Sequence, residues 1–453
     1  MKRRTFIKKS LRTIPAIALS SGFLQSCGDS ENVKPNGKSV IVVGAGIAGL
    51  AAGKKLRDKG FTVTVLEAQA TAGGRIKTNR TLNFPFDEGA SWIHGASNNP
   101  LTPIASIADA KTFFTDENNV KVFDANGLPH NDTILDGEYQ AFQTVLNTIR
   151  NKGNANESFE TIFKANYPQY VNNRIWKYML SSDFEFDIGG DISDISSIDF
   201  DDDDVFGGND LYITNGFDRI INYLAQTVFV KTNEPVSSIN YSGDKVKVTT
   251  TVADYDADYV VVTIPLGVLK NNIITFTPAL PNDKIQAITR VKMGVVNKFL
   301  IGWDLAFWDS KEQYLGYTPE TKGKFNYFLN TRKIDINSKA LMTFAYGNYA
   351  IQTETMSDKA IIDEIMAHMK AIYGNNTPNP TTFLRTKWGS NPYAYGAYSF
   401  ATNGARSSDF DVLAKEVNNK LFFAGEHTSK QYRGTAHGAY LSGEKAADKI
   451  IAL

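Results

Sequence analysis

Gly44-Ala45-Gly46-Ile47-Ala48-Gly49 sets three glycines at the spacing with which a backbone turn receives a diphosphate. Gly44 makes the tight turn, Gly46 lets the main chain approach a pyrophosphate, and Gly49 permits close packing of a helix on a strand. Glu67 follows about 20 residues on, where an acid binds a ribose hydroxyl. This is the chemistry of dinucleotide binding. Other chemistries are excluded by inventory. Cys27 is the only cysteine, so there is no disulfide framework and no multi-cysteine zinc or iron–sulfur site. The five histidines (His94, His130, His368, His427, His437) are scattered without an HExxH spacing, which argues against metal catalysis. Lys298, ahead of an apolar strand, reads on spacing alone as an edge-strand gatekeeper.

The elements that must position the glycine turn are legible around it. Residues 39–43 (SVIVV) form a continuous apolar run, as expected of a strand buried on both faces of a parallel sheet. Residues 50–59 favour helix and stop at Gly60, and residues 61–66 (FTVTVL) form a second strand closed by Glu67. At the other end, Ala439, Gly443, Ala446, Ile450 and Leu453 fall on one face of a closing helix. Its first turn, residues 434–438, offers N–H groups and a positive dipole end to an anion. Residues 245–251 alternate as a half-buried strand, and residues 359–372 carry Ile361, Ile362, Ile365, Met366 and Met369 at helical spacing.

The chain has 453 residues, 42% hydrophobic and 21% charged, with 48 basic and 48 acidic residues. Residues 1–27 carry six cations and no acid, so the remainder holds 42 cations against 48 acids. That acidic body disfavours nucleic acid as a partner. No stretch reaches the ~18 apolar residues of a spanning helix. Residues 1–27 read as a signal peptide, with a basic head and a short apolar run. Arg3-Arg4-Thr5-Phe6-Ile7-Lys8 resembles the twin-arginine export motif, and Leu24-Gln25-Ser26-Cys27 resembles a bacterial lipoprotein box with Cys27 as the lipid acceptor. Residues 28–37 read as a flexible tether. The expectation is export by a bacterium to the periplasm, or a lipid anchor at the cell envelope as the sole membrane contact.

Five longer strings then recur in order: Ala72-Gly73-Gly74-Arg75, Gly89-Ala90-Ser91-Trp92-Ile93-His94-Gly95, residues 265–270 (PLGVLK), Gly425-Glu426-His427-Thr428 and residues 437–443 (HGAYLSG). Together they closely resemble the flavin-containing amine oxidases, the polyamine oxidases in particular, from residue 38 to the C-terminus. The resemblance implies an α/β fold: a Rossmann-type FAD-binding domain with a doubly wound sheet, interleaved with an α+β substrate-binding domain. The expected FAD-binding segments are 38–95, 208–292 and 385–453, and the substrate-binding segments are 96–207 and 293–384. The FAD would be noncovalent, since Cys27 is the only thiol.

Residue by residue, the resemblance implies FAD contacts from Gly44, Ala45, Gly46, Gly49 and Glu67, from Arg75 on the pyrophosphate, and from Gly89, Ala90, Ser91 and Trp92 along the ring. Val236 would meet the adenine, Glu426 the ribityl chain, and Thr435 and Ala436 the pyrimidine edge. Lys298 is implied as the catalytic lysine near flavin N5, and His94 as a second catalytic or substrate-binding group. Trp92, Tyr398 and Tyr440 would flank the amine, while Glu185 or Asp187, whose register is ambiguous, would supply an acid for it. The run 199–204 reads as a solvated acidic loop.

The implied reaction oxidises a polyamine such as spermine, spermidine or an acetylated form. Hydride passes from the carbon beside nitrogen to the flavin; the imine hydrolyses to aldehyde and amine, and O2 becomes H2O2. The alternatives are a monoamine or L-amino acid oxidase, and a polyamine-binding flavoprotein without turnover. An amino-acid oxidase wants an arginine for the substrate carboxylate, and none stands near residues 89–95 in sequence.

Overall fold

The computed structural model describes residues 34–82 and 84–453. The expected signal peptide, Cys27 and most of the tether therefore lie outside the described residues. Strand Ser39–Val43 lies at the centre of a five-stranded parallel sheet, ordered 421–423, 259–262, 39–43, 62–66 and 230–231. Its alternate residues serve two cores. Val40 and Val42 pack with the helices Ile47–Arg57 and Ala436–Ile451, whereas Ile41 and Val43 pack toward a second layer containing Ile239 and Val248. That two-sided burial is what the unbroken apolar run requires. The helix after the glycine turn begins at Ile47, three residues earlier than the composition suggests, because the turn itself feeds straight into it.

The closing helix packs on helix Ile47–Arg57 so closely that a Cβ on Gly443 would stand 2.0 Å from the Ala48 carbonyl oxygen. Ala439, Ala446 and Ile450 are buried as expected, but Leu453 lies beyond the helix end and is 61% exposed. Strands Val236–Asn240 and Val246–Thr250 pair antiparallel and carry the 234–236 segment beside the parallel sheet.

A six-stranded sheet forms the other half, ordered 382–385, 296–302, 340–346, 324–330, 314–317 and 120–123. Strand Val296–Gly302 is entirely buried and again divides its residues: Val296 and Leu300 face an aromatic core with Trp176 and Phe184, while Phe299 and Ile301 face helix Asp358–Tyr373. Lys298 is thus an interior residue of a central strand, hydrogen-bonded on both sides, and the gatekeeper reading of its spacing fails. A small sheet of 92–93, 211–213 and 112–114 joins the two halves.

Candidate active site

One cavity of about 1170 Å³ runs from the glycine turn to the six-stranded sheet. That volume exceeds the usual single-ligand pocket and suits a dinucleotide together with a substrate. Gly44 turns the chain with φ +105°. Gly46, Ile47 and Ala48 line the cavity, the helix has no acid in its first turn, and no side chain caps it. A Cβ on Gly46 would meet no protein atom within 4 Å, so the room beside it belongs to a ligand. A Cβ on Gly49, by contrast, would stand 2.0 Å from the Gly44 carbonyl oxygen. Open space beside Gly46 and close packing at Gly49 are compatible with the roles that their spacing implies. Glu67 borders the cavity, and its carboxylate accepts from the N–H of Ala45 (2.8 Å) and of Gln69 (2.9 Å). Burial pushes its pKa up, against those two hydrogen bonds. Ala45 itself is fully buried behind the turn and does not line the cavity.

Arg75 and Glu426, both on the cavity wall, pair at 2.8 Å. Glu426 also accepts from Ser399 and from the N–H groups of Ser399 and Gly434 (3.2 Å each). Its burial would raise the pKa, but Arg75, His427 and these donors outweigh that and hold it below the usual value. Val236 borders the cavity at one end, and Thr435 and Ala436 at the start of the closing helix, where the Thr435 hydroxyl accepts from Gly438 N–H at 2.9 Å.

Lys298 reaches from the six-stranded sheet into the turn 87–91. Its Nζ donates to the carbonyls of Asp87 (3.1 Å) and Gly89, and to the Ser91 hydroxyl (2.6 Å), with the Trp92 ring 5.5 Å away. Burial lowers its pKa to about 8, opposed by the charge of Asp87. Asp87 moves the other way: burial raises it, against hydrogen bonds from Thr78 and the Phe217 N–H. A buried amine with a depressed pKa beside a cavity is suited to proton handling near neutrality.

Gly89, Ala90, Ser91, Trp92, His94, Asp187 and Tyr398 all line this cavity. His94 Nδ1 lies 2.8 Å from Asp210 in a half-exposed position at the wall. The Tyr398 hydroxyl donates to the Phe186 carbonyl.

Two expected substrate residues are not brought to the cavity. Glu185 is wholly buried, ion-paired with Lys322 and accepting from Ile192 N–H at 2.9 Å; a wide π-type turn, Leu180–Glu185, points it inward while Asp187 faces the cavity. Of the two acids, Asp187 is the one that borders the cavity. Tyr440 stands on the outer part of the closing helix, with its hydroxyl 3.3 Å from Glu444. One helical residue earlier, Ala439 takes the cavity-facing position. The acidic run 199–204 is likewise not a free loop. Asp201, Asp203 and Asp204 line the cavity, and Asp202 pairs with Arg433 at 2.6 Å.

Arg433, Asp87 and Trp388 were not identified as site residues from the sequence. Asp87 stands two residues before the string 89–95, near enough to be found from it; Arg433 precedes the closing glycine turn, and nothing local marks it.

The chain matches the family model described as flavin containing amine oxidoreductase over residues 47–451. Polyamine oxidase 4 of Oryza sativa subsp. japonica is 34% identical over 434 residues, covering 91% of this chain and 88% of that protein. Lysine-specific histone demethylase 2 of Homo sapiens is 30% identical over 440 residues, covering 92% of this chain and 53% of that protein, so this chain spans about half its length. A solved double mutant of putrescine oxidase, redesigned in cofactor binding, superposes with a TM-score of 0.75 at 18% identity, covering 92% of this chain and 99% of that one. The fold is therefore shared with that oxidase, and the extent of the sequence matches makes this chain a member of the flavin-containing amine oxidoreductase family.

Proposed function

We propose that this FAD-dependent amine oxidase acts on a polyamine, oxidising it at a carbon beside nitrogen. The observation that carries the reading is the composition of the cavity wall, where Asp183, Asp187, Asp201, Asp203, Asp204 and Asp210 stand with Trp92 and Tyr398. Spaced carboxylates complement a chain of separated cations, and aromatic faces orient an amine through their quadrupole. The net change is amine plus O2 plus water giving aldehyde, shortened amine and H2O2.

The bound flavin supplies the two-electron acceptor. Gly44, Gly46, Glu67, Arg75 and Glu426 would hold it, and the dipole of helix Ala436–Ile451 would favour negative charge at its N-terminal turn. Lys298 keeps a proton at Nζ or releases it near pH 8, so it can serve the water that hydrolyses the imine. Tyr398 and Trp92 orient the nitrogen, and the acidic wall holds the distal cations. The basic leader and Cys27 support export of this activity beyond the cytoplasm, which mass spectrometry of the mature N-terminus checks.

Anaerobic addition of spermine or spermidine tests the reading, with bleaching of the oxidised flavin spectrum as the expected result. Unchanged colour despite measured binding means a binder without turnover. The demethylase similarity supports one further arm, a methylated-lysine peptide. Bleaching by that peptide but by no free polyamine overturns the polyamine assignment while leaving amine oxidation intact.

A further inference from the structure

Glu354 lies just past helix Gly347–Thr353, outside the cavity, in a stretch (QTETMSDK) that reads as ordinary surface. Its carboxylate is nevertheless fully engaged. One oxygen accepts from Asn297 Nδ2 (2.9 Å) and from the N–H of Gly389 (2.7 Å), and the other accepts from the N–H of Ser390 (2.7 Å). The approach is tight enough that a Cβ on Gly389 would stand 3.0 Å from a Glu354 oxygen. Asn297, fully buried, then accepts from Trp388 N–H (2.9 Å) and from the Thr386 hydroxyl (3.2 Å), which itself accepts from Lys298 N–H (2.9 Å). One carboxylate thus ties the 388–390 turn to the strand that carries Lys298.

Both ends of that clamp converge on the same short segment. The Trp388 indole donates to the Glu88 carbonyl (3.0 Å), and its ring would stand 3.4 Å from a Cβ on Gly89. Lys298 Nζ donates to the next carbonyl, that of Gly89. Trp388 therefore roofs the turn that buries the lysine's amino group.

We propose that Glu354 is a positioning residue of the oxidation: it holds Trp388 over the 87–91 turn and so keeps water away from the Lys298 amino group. The proposal rests on the amine-oxidising reading of this site. Its sign is fixed by what surrounds Lys298. Asp87 is the charged group that acts on it, behind the turn, and Asp218 acts on Asp87 in turn, while Tyr212 is a neutral phenol that burial and Asp87 hold protonated; Phe344 across the strand, Thr386 and Trp388 bring no charge. Burial lowers the lysine's pKa, so admitting water moves it up. Removing the negative charge of Glu354, taken alone, moves it down. The two roles predict opposite directions.

The experiment compares wild-type holoenzyme with Glu354→Ala, Glu354→Asp and Glu354→Gln by flavin content, amide hydrogen exchange and the pH profile of kcat. In Glu354→Ala, exchange rises both at 388–390 and at 87–92, flavin is retained, and kcat falls about tenfold to a hundredfold with KM changed less. The pH limb near 8 moves up by roughly 0.5–1 unit. Glu354→Asp, which keeps charge and two oxygens at shorter reach, recovers part of each effect. Faster exchange confined to 388–390 with kcat and limb unmoved overturns the proposal, as does a limb that moves down. If the alanine protein does not accumulate, Glu354→Gln decides: an intermediate upward shift supports the role, and wild-type behaviour or a downward shift overturns it. Should wild type be bleached by no amine, the oxidase reading fails, while exchange at 87–92 still reports on Glu354.

Discussion

The two ends of the cavity are built by different means. At the glycine-turn end, the wall is mostly backbone: a glycine turn and a helix N-terminus, with one acid beside them, in a contiguous stretch from residue 39 to 67. At the Lys298 end, the functional groups are themselves side chains brought from far apart, as when Lys298 reaches the 87–91 turn more than 200 residues away in sequence. A backbone site fails when space is lost. A side-chain site fails when partners are lost.

The largest effect belongs to the glycines. Gly46→Val adds atoms where no protein atom lies within 4 Å, at φ −72°, which valine tolerates. The expected product is a folded protein that purifies colourless, with a circular dichroism spectrum like that of wild-type apoprotein. Gly49→Ala instead drives a Cβ into the Gly44 carbonyl oxygen and costs about 1–3 kcal/mol or more of stability, seen as a lower thermal midpoint before any question of cofactor arises. A yellow Gly46→Val protein would refute the phosphate assignment.

At the other end, Lys298→Met keeps the volume and removes three donors. Flavin should remain bound while turnover drops about 10²–10⁴-fold, the span expected when a proton-transferring group is lost. Stopped-flow measurement of flavin reduction and reoxidation shows which half-reaction carries the loss. An unaffected rate in both leaves Lys298 a structural lysine.

What could be read from sequence follows the same division. The first strand, helix, second strand and Glu67 were legible because their constraints are local: apolar run, glycine spacing, stop, acid. Lys298 was not legible by spacing, since a lysine inside a strand of apolar residues looks like an edge residue until its neighbours 340–346 and 382–385 are known. Glu185 and Tyr440 failed for a related reason. Each sits one residue from a position that does face the cavity, Phe186 and Ala439, and neither a π-type turn nor the rotation of a helix is fixed by its own few residues. The acidic run 199–204 was misjudged because its partner, Arg433, lies more than 200 residues on.

The buried ion cluster at Lys322 gives the next effect. Lys322 binds both Glu185 and Asp191 behind the π-type turn, and burial raises Glu185 to about 7 against the pull of that lysine. Lys322→Met strands a carboxylate with no exposure and should cost about 3–5 kcal/mol at pH 8 in denaturant unfolding. A carboxyl whose folded pKa is raised stabilises most below its unfolded value and loses that contribution as pH rises through the folded one. Without the lysine the folded pKa rises further, so the deficit should shrink as pH is lowered from 8 toward about 7, where Glu185 of the wild type is protonated too, and level off below that. Adding Glu185→Gln should restore part of the loss at pH 8. A deficit that grows on acidification means that the lysine was not offsetting this charge.

The smallest effect is the most discriminating between the resemblance and the geometry. The family pattern implies that Tyr398 and Tyr440 flank the amine together, whereas here only Tyr398 borders the cavity. Tyr440 is half-buried on the outer side of the closing helix, and its hydroxyl meets Glu444 one turn on. Tyr440→Phe removes one long, partly exposed hydrogen bond worth about 0.5–1.5 kcal/mol at most, and should leave kcat and KM for any amine within about twofold. Tyr398→Leu removes a ring from the wall and should raise KM several-fold, the scale of a lost contact of about 1 kcal/mol with a cation. Steady-state kinetics on one amine decides between them. If Tyr440→Leu raises KM as much as Tyr398→Leu does, the closing helix rotates in the loaded enzyme and Tyr440 joins Tyr398 there; if it does not, Tyr398 and Trp92 orient the amine without Tyr440.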